Sequence, residues 1–275
     1  MPLLPVRWRW LVASGFLLCA PIVAGVAWLV LTALFDRVHG LAPAGPLAPE
    51  NWAFVWSPSV GGRPPAVVAL LNSVLFSFAV AAVEIVVASM AAYAISRLHF
   101  PGRSLYLAVV LVLHAFPAVS LLIAIFYILR VLGLFDTLVG VILVKTALEL
   151  PLGIWLMKGF FDFLSWEMEM AALVDGMSRW GVFWKVALPM VRPGLLALGT
   201  FALLSAWGEF ILPFTLIVSS RSWTLATYLQ SFLTEAFTDF GMVAAVGLFY
   251  ALPVLVLFGL GQRYLLNLYG GGVKG

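Results

Sequence analysis

Charge is scarce in this sequence. Only 10% of its 275 residues are Asp, Glu, Lys or Arg, against 64% that are hydrophobic, a balance outside the range of soluble globular domains. That excludes a soluble enzyme and indicates an integral membrane protein. Cysteine is almost missing: Cys19 stands alone, which rules out a disulfide framework or a thiolate metal cluster, and the residues before it form no convincing lipoprotein cleavage site. The three histidines, His39, His99 and His114, show no H-E-x-x-H or similar spacing, so no catalytic residue, metal or cofactor is expected. There is no G-x-x-x-x-G-K-[ST] phosphate loop, and the chain cannot be its own ATP-driven motor. No two halves align as internal repeats, the usual sign of an ion-gradient-driven secondary transporter. The small net charge of +3 calls for no nucleic-acid partner, because Lys and Arg gather at the cytoplasmic edges of membrane proteins in any case.

What the chain has in abundance is apolar runs of spanning length. At about 20 apolar residues per crossing, they predict an all-α protein with six transmembrane helices, near 11–34, 67–96, 104–130, 138–160, 194–218 and 240–264. The first run follows Arg7 and Arg9 and exceeds the length of a signal-peptide core, so a retained helix is expected. A Pro- and Gly-rich connection from Phe35 to Ala66 carries Trp52 and Trp56, as suits an outer interfacial loop. The chain then divides into 1–66 (first helix and outer loop), 67–264 (membrane core, with a loop at 161–193) and a short tail, 265–275. With the N-terminus inside, ten of the fifteen basic residues fall on the cytoplasmic side, among them Arg97, Arg103, Arg179, Lys185 and Arg192. Both termini and the 161–193 loop are therefore expected in the cytoplasm of an inner (plasma) membrane protein.

That loop reads EMEMAALVDGMSRWGVFWKVALP from Glu167 to Pro189, a charged island between apolar runs. Ser165 is placed to cap a short helix with Glu167 in its first turn, where the helix dipole favours a carboxylate. Gly176 marks a turn, and Ser178 is placed to cap a second helix. In that helix Trp180, Phe183, Trp184, Ala187 and Leu188 recur on one face, which predicts packing against the membrane domain. Pro189 and Pro193 are expected to end it. The first helix is expected to expose an acidic side bearing small Ala171 and Ala172, a surface that another protein can approach closely.

Glu169, Ala171 and Ala172, then Asp175 and Gly176, then Leu188 and Pro189 give this loop its spacing. It resembles the "EAA" loop of the inner-membrane permease subunits of type I ATP-binding-cassette importers. LNS at Leu71–Ser73, AAYAISRLHFPGR at Ala91–Arg103, LGLFDT at Leu132–Thr137, AWGEF at Ala206–Phe210 and the terminal GGVKG look like the carbohydrate branch, the maltose and trehalose type. Ser165 stands where that family usually has Pro, and Met177 where a small residue usually follows the Gly. The resemblance implies that the seven loop residues form a coupling helix gripping a separate ATPase subunit. It further implies a homologous second permease, two ATP-binding subunits and an extracytoplasmic substrate-binding protein as partners. The cargo it implies is a sugar, a di- or oligosaccharide, with a glycerol-phosphate or polyamine-type solute as the alternative.

Ionisable residues inside the crossings are costly, and they mark either a pathway or a paired structural site. Lys145 and Glu149 lie four apart on one helix face, so they either neutralise each other or face the passage. Glu209, close after Trp207, suits a sugar, whose CH face stacks on an indole while its hydroxyls donate to oxygen; a buried carboxylate bonded to a neighbouring helix is the alternative. His114 and Tyr127 are further candidates for lining the pathway. Glu84 reads as a helix-packing carboxylate, and Asn72 with Ser73 as a cap of the second crossing.

Overall fold

The computed structural model describes residues 8–58, 62–233 and 239–270, with 8, 9, 11 and 257–270 in main chain only. The tail residues 271–275 lie outside the described residues. Regular structure is almost wholly helical: α1 (Trp8–Leu34), α2 (Ala53–Trp56), α3 (Ala66–Arg97), α4 (Arg103–His114), α5 (Ala118–Val131), α6 (Leu138–Asp162), α7 (Trp166–Val174), α8 (Arg179–Met190), α9 (Arg192–Trp207), α10 (Ile211–Leu216), α11 (Leu225–Leu233) and α12 (Phe240–Gly270). A small antiparallel hairpin pairs β1 (Val38–His39) with β2 (Ala42–Pro43).

Among the described residues three helices are long and apolar enough to cross a membrane, Val12–Leu34, α3 and α6, and two bent pairs raise the number to five. α12 opens on a shorter apolar stretch, Phe240–Val256. The expected third crossing, 104–130, is not one straight helix: α4 and α5 meet at 97°. Pro117 explains the break, because it lacks an N–H and drives Phe116 out of the helical region. Ala115 and Phe116 instead close tight turns onto Val112 and Leu113. The second bent pair is α8 with α9, at 77°, and the expected fifth crossing, 194–218, is interrupted between α9 and α10 at Gly208–Phe210.

The described residues fall into two compact units, one running to Ala66 and resuming at Tyr228–Val256, the other spanning Val67–Thr227 with the end of α12. In the first, buried Asn51 and the indole N–H of Trp52 donate to the carbonyl of Ala33 near the end of α1, satisfying acceptors that a helix end leaves open. Phe54 is fully buried there, edge-on to Phe249 at 5.7 Å. Arg63 donates from Nε to Ser231 Oγ at 2.7 Å and lies over the Phe232 ring.

In the second unit, α3, α6 and α9 pack around two apolar clusters. One centres on Ala88, Met157, Phe161 and Phe183, the other on Phe76, Val80, Val141 and Leu212. Where such helices face lipid, association rests on close packing more than on removal from water. Gly153 of α6 shows how close the approach is, since a Cβ there would stand 2.6 Å from Glu84 Oε1 and 3.3 Å from Ala88. Asn72 and Ser73 do not cap their own helix. α3 has already begun at Ala66, after Pro64 and Pro65, and the pair lies inside it. Asn72 donates to the carbonyls of Arg221 and Trp223, and Ser73 Oγ accepts the Leu225 N–H at 2.7 Å at the start of α11. In LGLFDT, Asp136 adopts φ 62°, and its Oδ1 accepts the N–H groups of Val218 and Ser219, each at 2.7 Å. Thr137 caps α6 by accepting from Gly140.

Candidate functional site: an anchored loop helix and a buried ion cluster

α6 ends at Asp162, and after three linking residues α7 begins at Trp166. Ser165 occupies the cap position in extended conformation, yet its hydroxyl donates to the Glu167 carboxylate and accepts no main-chain N–H, so the expected Ser165 cap does not form. The other end follows the sequence closely. Met177 N–H bonds Ala172 O and Gly176 N–H bonds Leu173 O, with Gly176 at φ +87°. This is a Schellman closure, which requires a left-handed residue that glycine adopts without a Cβ penalty. The spacing from Ala172 to Gly176 is thus the spacing of a helix end. Ser178 Oγ accepts the Gly181 N–H and caps α8, as expected.

Glu169 is the main departure on α7. The expected acidic outer side contains Glu167 and Asp175, both exposed, whereas Glu169 turns inward and is 2% exposed. Its Oε1 accepts Arg97 Nε at 2.7 Å and its Oε2 accepts the Tyr93 hydroxyl at 2.9 Å. Arg97 also donates to the Leu164 carbonyl at 2.9 Å and lies over the Trp166 ring. The outward stripe is Glu167, Met170, Ala171 and Val174, with Val174 82% exposed. Ala172 is half-buried. Neither Arg97 nor Tyr93 stood out in the sequence as a partner of Glu169. The available signal was their i,i+4 spacing in AAYAISR, which puts both on one face of α3.

α8 differs from expectation in two ways. It runs through Pro189 to Met190 instead of stopping at the proline, because a π-turn over Phe183–Ala187 lets Leu188 N–H reach Phe183 O and widens the helix where the ring would collide with the preceding turn. Of its expected packed face, Phe183 and Ala187 are buried and Leu188 half-buried, while Trp180 and Trp184 are exposed. Both indoles flank the Phe183 ring, at 5.7 and 5.2 Å. A cavity of about 300 Å³ lies between the end of α3, α7 and α8, lined by Tyr93, Arg97, Trp166, Glu169, Trp180 and Phe183 among others.

The second constellation lies among α3, α6 and the α9–α10 break. Lys145 Nζ stands 2.9 Å from Glu149 Oε1 and 2.8 Å from Glu209 Oε2. Ser205 of α9 donates to the same Glu149 oxygen. Glu209, in the gap between helices, also accepts the Leu212 N–H at 3.2 Å and so caps α10. Glu84, fully buried on α3, lies with Oε1 against Gly153 of α6, one turn on from Glu149. The structure thus gathers Lys145, Glu149 and Glu209 into one paired network, with Trp207 buried close by in sequence. His114 and Tyr127 take no part in that network: His114 Nδ1 meets the Leu148 carbonyl at 3.1 Å on an exposed surface, and Tyr127 is 65% exposed.

Comparison with known proteins agrees with this architecture. Residues 84–265 match the family described as "Binding-protein-dependent transport system inner membrane component". The chain is 33% identical to the trehalose transport system permease protein SugB of Mycobacterium tuberculosis over 75% of this chain and 77% of that one. It is 32% identical to the diacetylchitobiose uptake system permease protein NgcG of Streptomyces coelicolor over 78% and 70%. It is 28% identical to the maltose/maltodextrin transport system permease protein MalG of Photorhabdus laumondii over 98% of each. In fold it is similar to a chain of a bacterial ABC transporter involved in the import of the acidic polysaccharide alginate, with a TM-score of 0.76 at 18% identity, covering 96% of this chain and 99% of that chain. With the family match spanning well over half of its length and falling on the helices that build the loop and the ion cluster, the chain belongs to the binding-protein-dependent transport system inner membrane components.

Proposed function

We propose that this chain is one membrane-spanning permease of an ATP-binding-cassette importer for a di- or oligosaccharide. The observation that carries the reading is α7, a short helix anchored from behind through Glu169 while it presents Glu167, Met170, Ala171 and Val174 outward. A helix held on one side and open on the other is what docking against a soluble motor needs. In this reading the loop lies in the cytoplasm with both termini, and six crossings are made by α1, α3, α4 with α5, α6, α9 with α10, and α12. Ala171, Ala172, Asp175 and Gly176 form the docking helix and its closure, and Leu188 and Pro189 fix the base on which it stands.

Partners in this reading are a homologous second permease, two ATP-binding subunits that carry out all ATP hydrolysis, and an extracytoplasmic binding protein. A second structure similar in fold, at a TM-score of 0.66, is described as an alginate transporter in complex with a pentasaccharide-bound periplasmic protein. A sugar cargo is supported by the relatives, whose names specify trehalose, diacetylchitobiose and maltose. Glu209 and Trp207 stand where a passage between two permeases would run, and the Lys145–Glu149–Glu209 network holds that wall in place. The test is uptake by the reconstituted complex across a panel of disaccharides and oligosaccharides. ATP-dependent uptake of at least one supports the reading. Uptake of glycerol phosphate or a polyamine instead would move the substrate class, and uptake driven by an ion gradient without ATP would overturn it.

A further inference from the structure

Two consecutive residues at the end of α3 hold three successive points of the connection from α6 to α7. Ser96 Oγ donates to Asp162 Oδ1 at 2.6 Å, at the last residue of α6. Arg97 donates to the Leu164 carbonyl in the link and to Glu169 within α7. One turn earlier on the same face, Tyr93 supplies the second bond to Glu169. The side chains of Arg97 and Glu169 are 9% and 2% exposed, so water competes little with a charge-assisted pair whose geometry is fixed from both ends. A buried ion pair is weak evidence for stability, and its best-attested use is to specify position. α3 is continuous from this clamp to Glu84, and those thirteen residues span about 20 Å at the α-helical rise. At that far point α3 meets α6 where Glu84 packs against Gly153, one turn on from Glu149 of the ion cluster.

We infer that Arg97 and Tyr93 are positioning residues that make α7 move as one body with α3, so that displacement of the loop helix is delivered to α3 and not absorbed in the α6–α7 link. Glu169 is then the internal end of this strut and not a contact to the ATPase. The inference rests on the transport reading above and adds to it which residues carry the motion. A contiguous set of bonds is not by itself evidence of coupling, so the decisive quantity is a coupling energy between the two ends.

The test uses the complete complex of permeases, ATPase subunits and binding protein in proteoliposomes. Three quantities are measured: ATPase retained by a tagged permease, hydrolysis stimulated by sugar-loaded binding protein, and sugar moved per ATP hydrolysed. Tyr93→Phe removes a single hydroxyl and Arg97→Gln removes the charge; both are expected to retain the ATPase while sugar moved per ATP falls about 5- to 20-fold, the lower part of the range of typical allosteric couplings. Reversing the pair, Arg97→Glu with Glu169→Arg, is expected to recover part of that loss, and Tyr93→Phe is expected to lose coupling at an unchanged melting temperature, which a merely structural role would not predict. Full coupling in both Tyr93→Phe and Arg97→Gln overturns the inference. So does loss of ATPase retention in Glu169→Gln with full coupling in Arg97→Gln, since Glu169 would then be a docking contact. Failure of the unaltered chain to hold any ATPase would overturn the transport reading itself, and this inference with it.

Discussion

The loop helix and the ion cluster each bury carboxylates against a cation, but with different stoichiometry. At α7, one guanidinium and one hydroxyl serve both oxygens of one carboxylate. In the cluster, Lys145 is shared between Glu149 and Glu209, with Glu84 buried close by on α3. Arg suits the first site because its planar fork matches several acceptors in fixed directions, and Lys suits the second because a compact ammonium can be shared. The pairing at the loop therefore specifies one geometry. In the cluster, acids outnumber the base, and everything depends on a single cation.

The largest effect should come from removing that cation. Lys145→Met strands Glu149 and Glu209 and should destabilise the protein by about 3–5 kcal/mol, the cost of breaking a buried pair from one side. Thermal unfolding and folded yield in detergent would record it, and an unchanged melting temperature would mean that water and not Lys145 compensates the acids. Next is Glu209→Gln, which keeps an acceptor for the Leu212 N–H but halves the charge around Lys145, at about 1.5–3 kcal/mol for a hydrogen bond to a charged group. A lower melting temperature is the expected result. Unchanged stability with altered sugar selectivity would make Glu209 a lining residue instead of a strut.

The extent to which the sequence reveals these features divides along the same line. α3 and α6 lie within a few residues of the expected 67–96 and 138–160, because long apolar runs bounded by proline or polar residues leave little choice. The Schellman end at Gly176 and the Ser178 cap were legible too, since both depend on local backbone chemistry. The 97° break at Phe116 was not taken from Pro117, because the apolar run continues on both sides and many membrane helices tolerate proline. The inward turn of Glu169 was hidden for another reason: its partners lie more than seventy residues earlier in the chain, and helical periodicity cannot tell a solvated glutamate from a paired one. The placement of Asn72 and Ser73 failed likewise, since their partners are main-chain groups some 150 residues away.

Smaller effects sharpen the loop side of the comparison. Gly176→Ala puts a Cβ at φ +87°, where nothing lies within 4 Å to clash, so only backbone strain of about 1–2 kcal/mol remains. Fraying of the end of α7, read as faster amide exchange at Met177, is expected without a change in global unfolding. A shift in global unfolding of equal size would show that the loop folds as part of the core. Ser73→Ala removes the acceptor for Leu225 N–H and should cost about 1 kcal/mol, as other helix caps do. Its effect should be confined to α11 in exchange measurements, with the loop helix unaffected.

The central claim, that the outward stripe of α7 receives a motor protein, can be tested at one residue. Cys19 is the only cysteine, so a Cys19→Ser, Val174→Cys chain offers a single thiol on that stripe. The measurement is ATP-dependent sugar uptake by the reconstituted complex when this thiol is capped with a bulky maleimide before the ATPase is added. Loss of both ATPase binding and uptake is predicted, with uptake intact in the uncapped chain. Full uptake after complete capping would contradict the account.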